Sequence, residues 1–416
     1  MNATALAGRR FFAGRLPLFF NAGALVLAYA LPRAFAVIAT IVAARVLGAE
    51  QFGQFATAAA TAVVASILAT LGSQQLIVRE IAREPSRAAS LIASAHALKV
   101  GTVTLMALAL TATLPFLHFT AALNYAVILL VASYAVGAFV ENKAAYFIGV
   151  ERMYFWTEAS ALCGLVTGAI GIALVLATHN LLAFCAAPLF GQLAAYGWLT
   201  FRAPSTIRAA ATASRADVLA LARSLAPFAA AFIGTTVYYR ADILMLSHMR
   251  TASDVGLYGA ASKILDVTQA LAIACAGALL PRLARMNGER WRAGRQVFML
   301  VCVATIPVAL ILTLTRVSFI AFVFGAPYAQ AVPVFALLAP AMVPLALNMF
   351  ALSFLVASDR MHAAAIAFAV ASGLSIALNI IWIPAHGTLG AASAKLISES
   401  ALTLMLYGVI RARRTA

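Results

Sequence analysis

The strongest constraint on this chain is a succession of apolar stretches, each long enough to form a membrane-spanning helix and each ended by a short polar break. A helix of about 20 apolar residues crosses the hydrocarbon of a bilayer. The stretches fall near 18–44, 52–76, 88–114, 121–142, 156–178, 181–201, 222–247, 254–280, 295–322, 328–357, 363–383 and 388–410. The run from 156 to 201 is divided at Thr178-His179-Asn180, the one polar cluster inside it. Lipid admits only helices and closed barrels, because backbone groups must find their partners within the segment or barrel; the pattern therefore predicts an all-α integral membrane protein of about twelve helices. Composition agrees: 64% of residues are hydrophobic and 10% charged, where soluble domains are about half apolar and a quarter charged.

The formal net charge of +16 would suit a nucleic-acid binder, but the positions of the charges argue against one. The arginines sit in short clusters within the breaks and do not line one face with interleaved aromatics. With a cytoplasmic N-terminus, alternate breaks place about 21 basic residues on the cytoplasmic side and about 3 (Arg45, Arg250 and Arg316) on the other, a decisive positive-inside bias. Both termini are therefore expected in the cytoplasm. Arg9-Arg10 leads an uncleaved first helix, since the apolar run continues well past the signal-like Ala28-Tyr29-Ala30. Cys163, Cys185, Cys275 and Cys302 lie in apolar runs with no CxxC spacing and read as small buried residues. There is no GxxxxGK[ST] phosphate loop, so ATP does not drive the protein. No cofactor or metal is expected. The breaks are too short for a catalytic domain, which argues against a glycosyltransferase or polymerase.

The chain also repeats itself. Ala49-Glu50-Gln51-Phe52-Gly53-Gln54-Phe55 resembles Ala252-Ser253-Asp254-Val255-Gly256-Leu257-Tyr258, and the same shift carries Arg79 onto Arg282. An even number of helices separates the copies, which predicts a parallel repeat about an axis along the membrane normal. The expected organisation is an N-terminal six-helix lobe (1–201), a cytoplasmic linker (202–221) and a C-terminal six-helix lobe (222–416).

Several strings, taken in order, resemble a known family. They are Arg45-Val46-Leu47-Gly48-Ala49-Glu50-Gln51-Phe52-Gly53, Leu71-Gly72-Ser73-Gln74-Gln75, Arg79-Glu80-Ile81-Ala82-Arg83, Tyr239-Arg240-Ala241-Asp242-Ile243-Leu244-Met245-Leu246, Val255-Gly256-Leu257-Tyr258-Gly259-Ala260-Ala261, Pro281-Arg282-Leu283 and Ile383-Pro384-Ala385-His386-Gly387-Thr388-Leu389-Gly390-Ala391-Ala392. Over nearly the whole chain they are similar to the polysaccharide transporter and oligosaccharide flippase branch of the multidrug/oligosaccharidyl-lipid/polysaccharide (MOP) superfamily. The resemblance implies two six-helix lobes around a cavity that opens alternately to each side, with helices one, two, seven and eight lining it. It implies a lipid-linked oligosaccharide as cargo, moved from the cytoplasmic to the periplasmic leaflet of a bacterial inner membrane for surface polysaccharide. Membrane lipids, a proton or sodium counter-ion and other polysaccharide-assembly proteins are the implied partners. The turn between helices five and six lacks the Ile-Pro…Gly-Ala-Ala pattern, so the repeat has decayed there. The alternative is a multidrug or organic-cation antiporter of the sister branch.

A sugar diphosphate cannot cross hydrocarbon unsheltered, so the cargo predicts cations at membrane depth, where charges are costly and face a cavity or a partner. Arg33, Lys99, Arg240, Lys263 and Lys395 remain at depth once the breaks are subtracted. Arg33 follows Pro32, whose missing N–H kinks a helix. Arg240 and Asp242 are two residues apart and do not share a helix face, whereas Lys263 and Asp266, or Lys395 and Glu399, can meet on one face. Asp242, Asp266 and Glu399 are the deep carboxylates and the candidates for ion coupling.

Overall fold

The computed structural model describes residues 16–208, 213–285, 290–357 and 360–411; the side chains of 16–33, 226–228, 230–231, 277–285, 290–294 and 356–357 and of single residues elsewhere lie outside that description. The helices are α1 (Leu16–Thr70), α2 (Ser73–Arg83), α3 (Ala88–Thr113), α4 (Ala121–Gly149), α5 (Met153–Thr178), α6 (Leu181–Arg202), α7 (Arg215–Met249), α8 (Ala252–Arg285), α9 (Arg290–Leu314), α10 (Val332–Ala357) and α11 (Met361–Arg411), and no strand occurs among the described residues. Eight described stretches are long and apolar enough to cross a membrane. The outward face confirms the solvent: Phe322 is 80% exposed, Leu404 74% and Val303 71%, which suits lipid and not water.

Two expected breaks are single glycines inside what is otherwise continuous helix. Gly48 (φ 74°) interrupts α1 and Gly387 (φ 59°) interrupts α11. Both need the left-handed region that side chains disfavour. The division at Thr178-His179-Asn180 is built as a cap pair: His179 ends α5 in the left-handed conformation, and Asn180 Oδ1 accepts from the Leu182 N–H at 2.7 Å to start α6. Elsewhere the boundaries move. The helix expected to run to 76 stops at Thr70, where Leu71 and Gly72 both take positive φ, and α2 then carries Arg79 and Arg83 on a helix of its own. Helix α4 continues to Gly149, so Lys143 is not in a loop; it is buried, with its ammonium 4.9 Å from the Tyr196 ring. The stretch expected as 295–322 ends at Leu314 and restarts as the short helix Arg316–Val323. Of the cysteines only Cys185 is buried, and Cys275 is exposed. The outer face of a membrane bundle is itself apolar, so a small apolar residue has no need of the interior.

The repeat has a physical counterpart at its own residues. The limb of α1 after Gly48 packs along α8. A methyl group placed on Gly53 would overlap the Ala252 carbonyl oxygen, and one placed on Gly256 would overlap the Ala49 carbonyl oxygen. The two contacts are each other's image under the 203-residue shift, so a pseudo-two-fold axis passes between them. Small residues allow this approach of backbones, the usual way for helices in lipid to gain van der Waals contact. Other bonds join the halves at the same end: Tyr328 Oη donates to the Ala44 carbonyl at 2.9 Å, and Arg45 donates to the Phe322 and Val323 carbonyls that end the short helix. One buried cluster at this end draws on both halves, with Ala44, Phe52 and Ala56 beside Leu246, Tyr258 and Phe335.

Because there is no space for a side chain at either glycine, Gly53→Val or Gly256→Val should lower the melting temperature of the purified protein, at about 1–3 kcal/mol for each overpacked site. A melting temperature equal to that of the parent would mean the two limbs do not meet there.

Candidate functional site

The α7 string Tyr238-Tyr239-Arg240-Ala241-Asp242 sends alternate side chains to different partners. Asp242 turns inward, 5% exposed. Its Oδ2 accepts from Tyr258 Oη at 2.7 Å and lies 3.6 Å from Lys395 Nζ, while Oδ1 accepts from the Ile243 N–H at 2.9 Å. Lys395 is 3% exposed and Glu399, one turn on, 0%; the ammonium is 3.7 Å from Glu399 Oε1 and about equally far from the Tyr238 and Tyr239 rings, at 5.0 and 5.1 Å. Asn348 of α10, fully buried, donates its amide to Glu399 Oε2 at 2.8 Å, and Thr403 Oγ1 donates to Asn348 Oδ1 at 2.8 Å. Four helices, α7, α8, α10 and α11, thus contribute to one dry polar cluster.

Arg240 faces the other way, toward α8. Arg240 Nη1 lies 3.6 Å from Asp266 Oδ1, and Lys263 Nζ lies 2.8 Å from Asp266 Oδ2. These three side chains are 28%, 33% and 25% exposed for Arg240, Asp266 and Lys263. Two cations share one carboxylate, so the group carries one positive charge in excess. Tyr239, Arg240, Asp242, Asp266, Ser262 and Lys395 help line a small pocket between the partly exposed triad and the dry cluster, of about 20 Å³, room for about one water.

The remaining cations stand apart. Lys99 Nζ donates to the Ala69 and Thr70 carbonyls at 2.6 and 3.0 Å, where α1 ends, and lies 3.7 Å from Glu141. It is 2% exposed. An ammonium at the last carbonyls of a helix satisfies orphan acceptors and the negative end of the dipole. The side chain of Arg33 lies outside the described residues, as do those of Arg9, Arg10, Arg15, Arg282, Arg285, Arg290 and Arg292. At the arginine-rich end, a cavity of about 650 Å³ opens between α2, the start of α3 and the start of α7. Arg79, Arg83 and Arg87 line it with Glu80, Glu84 and Asp217, so its lining is balanced in charge.

Asn348, Tyr258 and Thr403 did not emerge from the sequence. Asn348 had a readable signal as the one amide in the apolar run of α10; the two hydroxyl residues had none, because their role depends on which helices pack together.

A long-helix bundle with an apolar outer face and charges buried at depth defines a multi-pass membrane protein. Solved structures share this fold. A multidrug resistance MATE family transporter of the MOP superfamily, in an inward-facing conformation, matches with a TM-score of 0.71 at 14% identity, covering 93% of this chain and 98% of that one. The lipid II flippase MurJ, in an inward closed conformation, matches with a TM-score of 0.61 at 13% identity, covering 95% and 87%. A MOP superfamily transporter from Pyrococcus furiosus, described by the reverse polarity of its binding pocket, matches with a TM-score of 0.66 at 12% identity, covering 96% of each chain. These are transporters and flippases, not enzymes. The chain belongs to the family described as "Polysaccharide biosynthesis protein", which matches residues 18–287. No curated protein sequence matches it.

Breaking a buried ion pair strands the partner charge and costs about 3–5 kcal/mol, whereas removing both partners is far cheaper. Lys395→Met should lower the melting temperature sharply, Asp242→Asn less so because Glu399 stays beside the ammonium, and the double variant Asp242→Asn with Lys395→Met should recover much of the Lys395→Met loss. Additive losses in the double variant would show that the two side chains do not meet.

Proposed function

We propose that the protein is a flippase that carries a polyprenyl-diphosphate-linked oligosaccharide from the cytoplasmic to the periplasmic leaflet of a bacterial inner membrane during surface polysaccharide assembly. It works by alternating access between two six-helix lobes, 1–201 and 222–416, joined by a cytoplasmic linker at 202–221, with both chain termini in the cytoplasm. The observation that carries this reading is the Arg240–Asp266–Lys263 triad: two cations to one carboxylate, partly exposed, on helices that pack against the opposite half. A diphosphate is costly to strip of water unless cations replace the water, and a guanidinium meets phosphate oxygens with two parallel donors. The triad has a positive charge to spare and a carboxylate that can yield its place.

The two ends of the bundle support the same reading. One is held together by the glycine contact and the Arg45 bonds; the other holds the 650 Å³ cavity. In the proposed orientation the cavity faces the cytoplasm, where the cargo is made. Its balanced lining leaves discrimination by charge to the triad. Arg33, beside Pro32, is proposed as a further contact to the head group. Lys99 and Lys395 are proposed to act within the protein, since each already has close internal partners. An organic cation, the cargo of the alternative antiporter, would meet the spare positive charge at the triad.

In cells lacking the protein and any redundant carrier, lipid-linked repeat units should accumulate in the cytoplasmic leaflet. Arg240→Ala and Lys263→Ala should each insert at normal levels and lower transport by tenfold or more, the worth of one charge-assisted contact of about 1.5–3 kcal/mol. Arg240→Lys should restore part of it. Parental transport in both alanine variants, or sensitivity of cells to cationic drugs with unaltered lipid-linked sugars, would favour the antiporter.

A further inference from the structure

Helices α9 and α11 both pack on α10 but scarcely touch each other, which leaves a furrow along α10. Leu347, Phe350 and Phe354 form its floor, and Thr403, Tyr407 and Ile410 form one wall. On the α9 side the ring of Phe298 meets that of Tyr407, 5.8 Å between centres. The floor residues recur every three to four positions, on one face of the helix, and cover about 10 Å of α10. The furrow has a volume of about 80 Å³. That is too slender for a drug-sized ligand, whose pockets measure about 300–1,000 Å³. It suits a single hydrocarbon chain.

Nearby, α9 and α11 turn Leu300 and Leu404 outward, 63% and 74% exposed, so the furrow lies on a lipid-facing surface. Water is a poor filler. The Thr403 hydroxyl on the wall already donates to Asn348 Oδ1 at 2.8 Å, and a trapped water needs about two to four polar partners. An empty furrow would forfeit van der Waals contact along its lining. Charge then selects the occupant. The furrow lies where α9 begins at Arg290 and α11 ends at Arg411. Arg295 lines it, and Arg411 follows the wall residue Ile410; both are exposed. Among the described residues neither has a hydrogen-bond or ion-pair partner. Two unpaired cations beside an apolar furrow complement an anionic head group with an acyl tail. A zwitterionic head group would add an ammonium that repels them.

We propose that the furrow between α9, α10 and α11 binds one anionic phospholipid, with an acyl chain lying along α10 and the phosphate held by Arg295 and Arg411. Basic pockets between membrane helices hold anionic head groups in this way. The occupant is a lipid of the surrounding leaflet and not the cargo. The furrow shares no lining residue with the pocket at Arg240 and Asp266, and a polyprenyl tail, with a methyl branch on every unit, is bulkier than an acyl chain. The lipid fills the gap that α9 and α11 leave between them and so ties α9 to the rest of the C-terminal half. The site does not depend on what the protein carries.

The test uses the full chain in phosphatidylcholine nanodiscs doped with a phospholipid that carries a photoactivatable diazirine in its acyl chain. Labelled peptides are identified by mass spectrometry. Phosphatidylglycerol with this label should mark the peptides around Phe298, Phe350 and Tyr407 well above the rest of the lipid-facing surface. Phosphatidylcholine with the same label should mark the surface evenly. Arg295→Gln and Arg411→Gln should each cut the labelling of the furrow by about fivefold, the effect of one arginine near a membrane surface. Both side chains are exposed, so the fold does not rest on them. Ala351→Phe, which fills the furrow, should abolish labelling there and leave it unchanged elsewhere. Equal labelling by the two phospholipids, or labelling indifferent to both arginine variants, would overturn the proposal. So would displacement of the label by polyprenyl phosphate and not by unlabelled phosphatidylglycerol, which would give the furrow to the cargo tail. Cross-links between two chains in place of any lipid label would give it to a second copy.

Discussion

A charge in hydrocarbon must bring its own solvation, and much of this structure follows from that cost. Lys99 is solvated by the carbonyls that end a limb of α1, Lys395 by two carboxylates, and Arg240 with Lys263 by a third. The three arginines that run against the charge bias of the breaks obey the same requirement. Arg45 donates to the Val323 carbonyl, Arg250 to those of Ile383 and Pro384, and Arg316 to that of Thr313. Each meets acceptors at or near the end of a helix, where backbone carbonyls lack a partner within the helix. They are structural donors, and their presence on the less basic side does not weaken the topology drawn from the others.

The sequence is informative where structure is local. Apolar run length locates the long helices, and the polar cluster at 178–180 marks a cap pair that the structure builds from those same residues. Spacing alone brings Lys263 to Asp266 and Lys395 to Glu399, at three and four residues along a helix. The tertiary partners are not legible in this way. That Arg240 would find Asp266, or Lys395 would find Asp242, depends on how α7, α8 and α11 pack. Lys143 shows the limit from the other side. Its charge suggested a loop, but the helix runs on and an aromatic ring covers the ammonium. A cation with a π-face to lie on can stay within a helix that composition would end.

The repeat was faint in sequence because few of its positions are held to one residue type. Where a backbone must touch a backbone, only glycine fits, and Gly53 and Gly256 remain aligned. The polar groups are free of that restriction and have diverged. The cluster around Lys395 lies in the C-terminal half, near the glycine seam, while the buried Lys99 of the N-terminal half is clamped to the carbonyls at the far end of α1. The two halves share a scaffold and differ in what they ionise.

The glycine seam has a further consequence. Its two closest contacts are made by main-chain atoms, so they offer nothing for acid, base or salt to titrate or screen. What can work on them is mechanical: bilayer thickness and tension, which set helix tilt at a cost of fractions of a kcal/mol per ångström. The composition of the surrounding lipid then becomes a control on how firmly the two bundles are clasped.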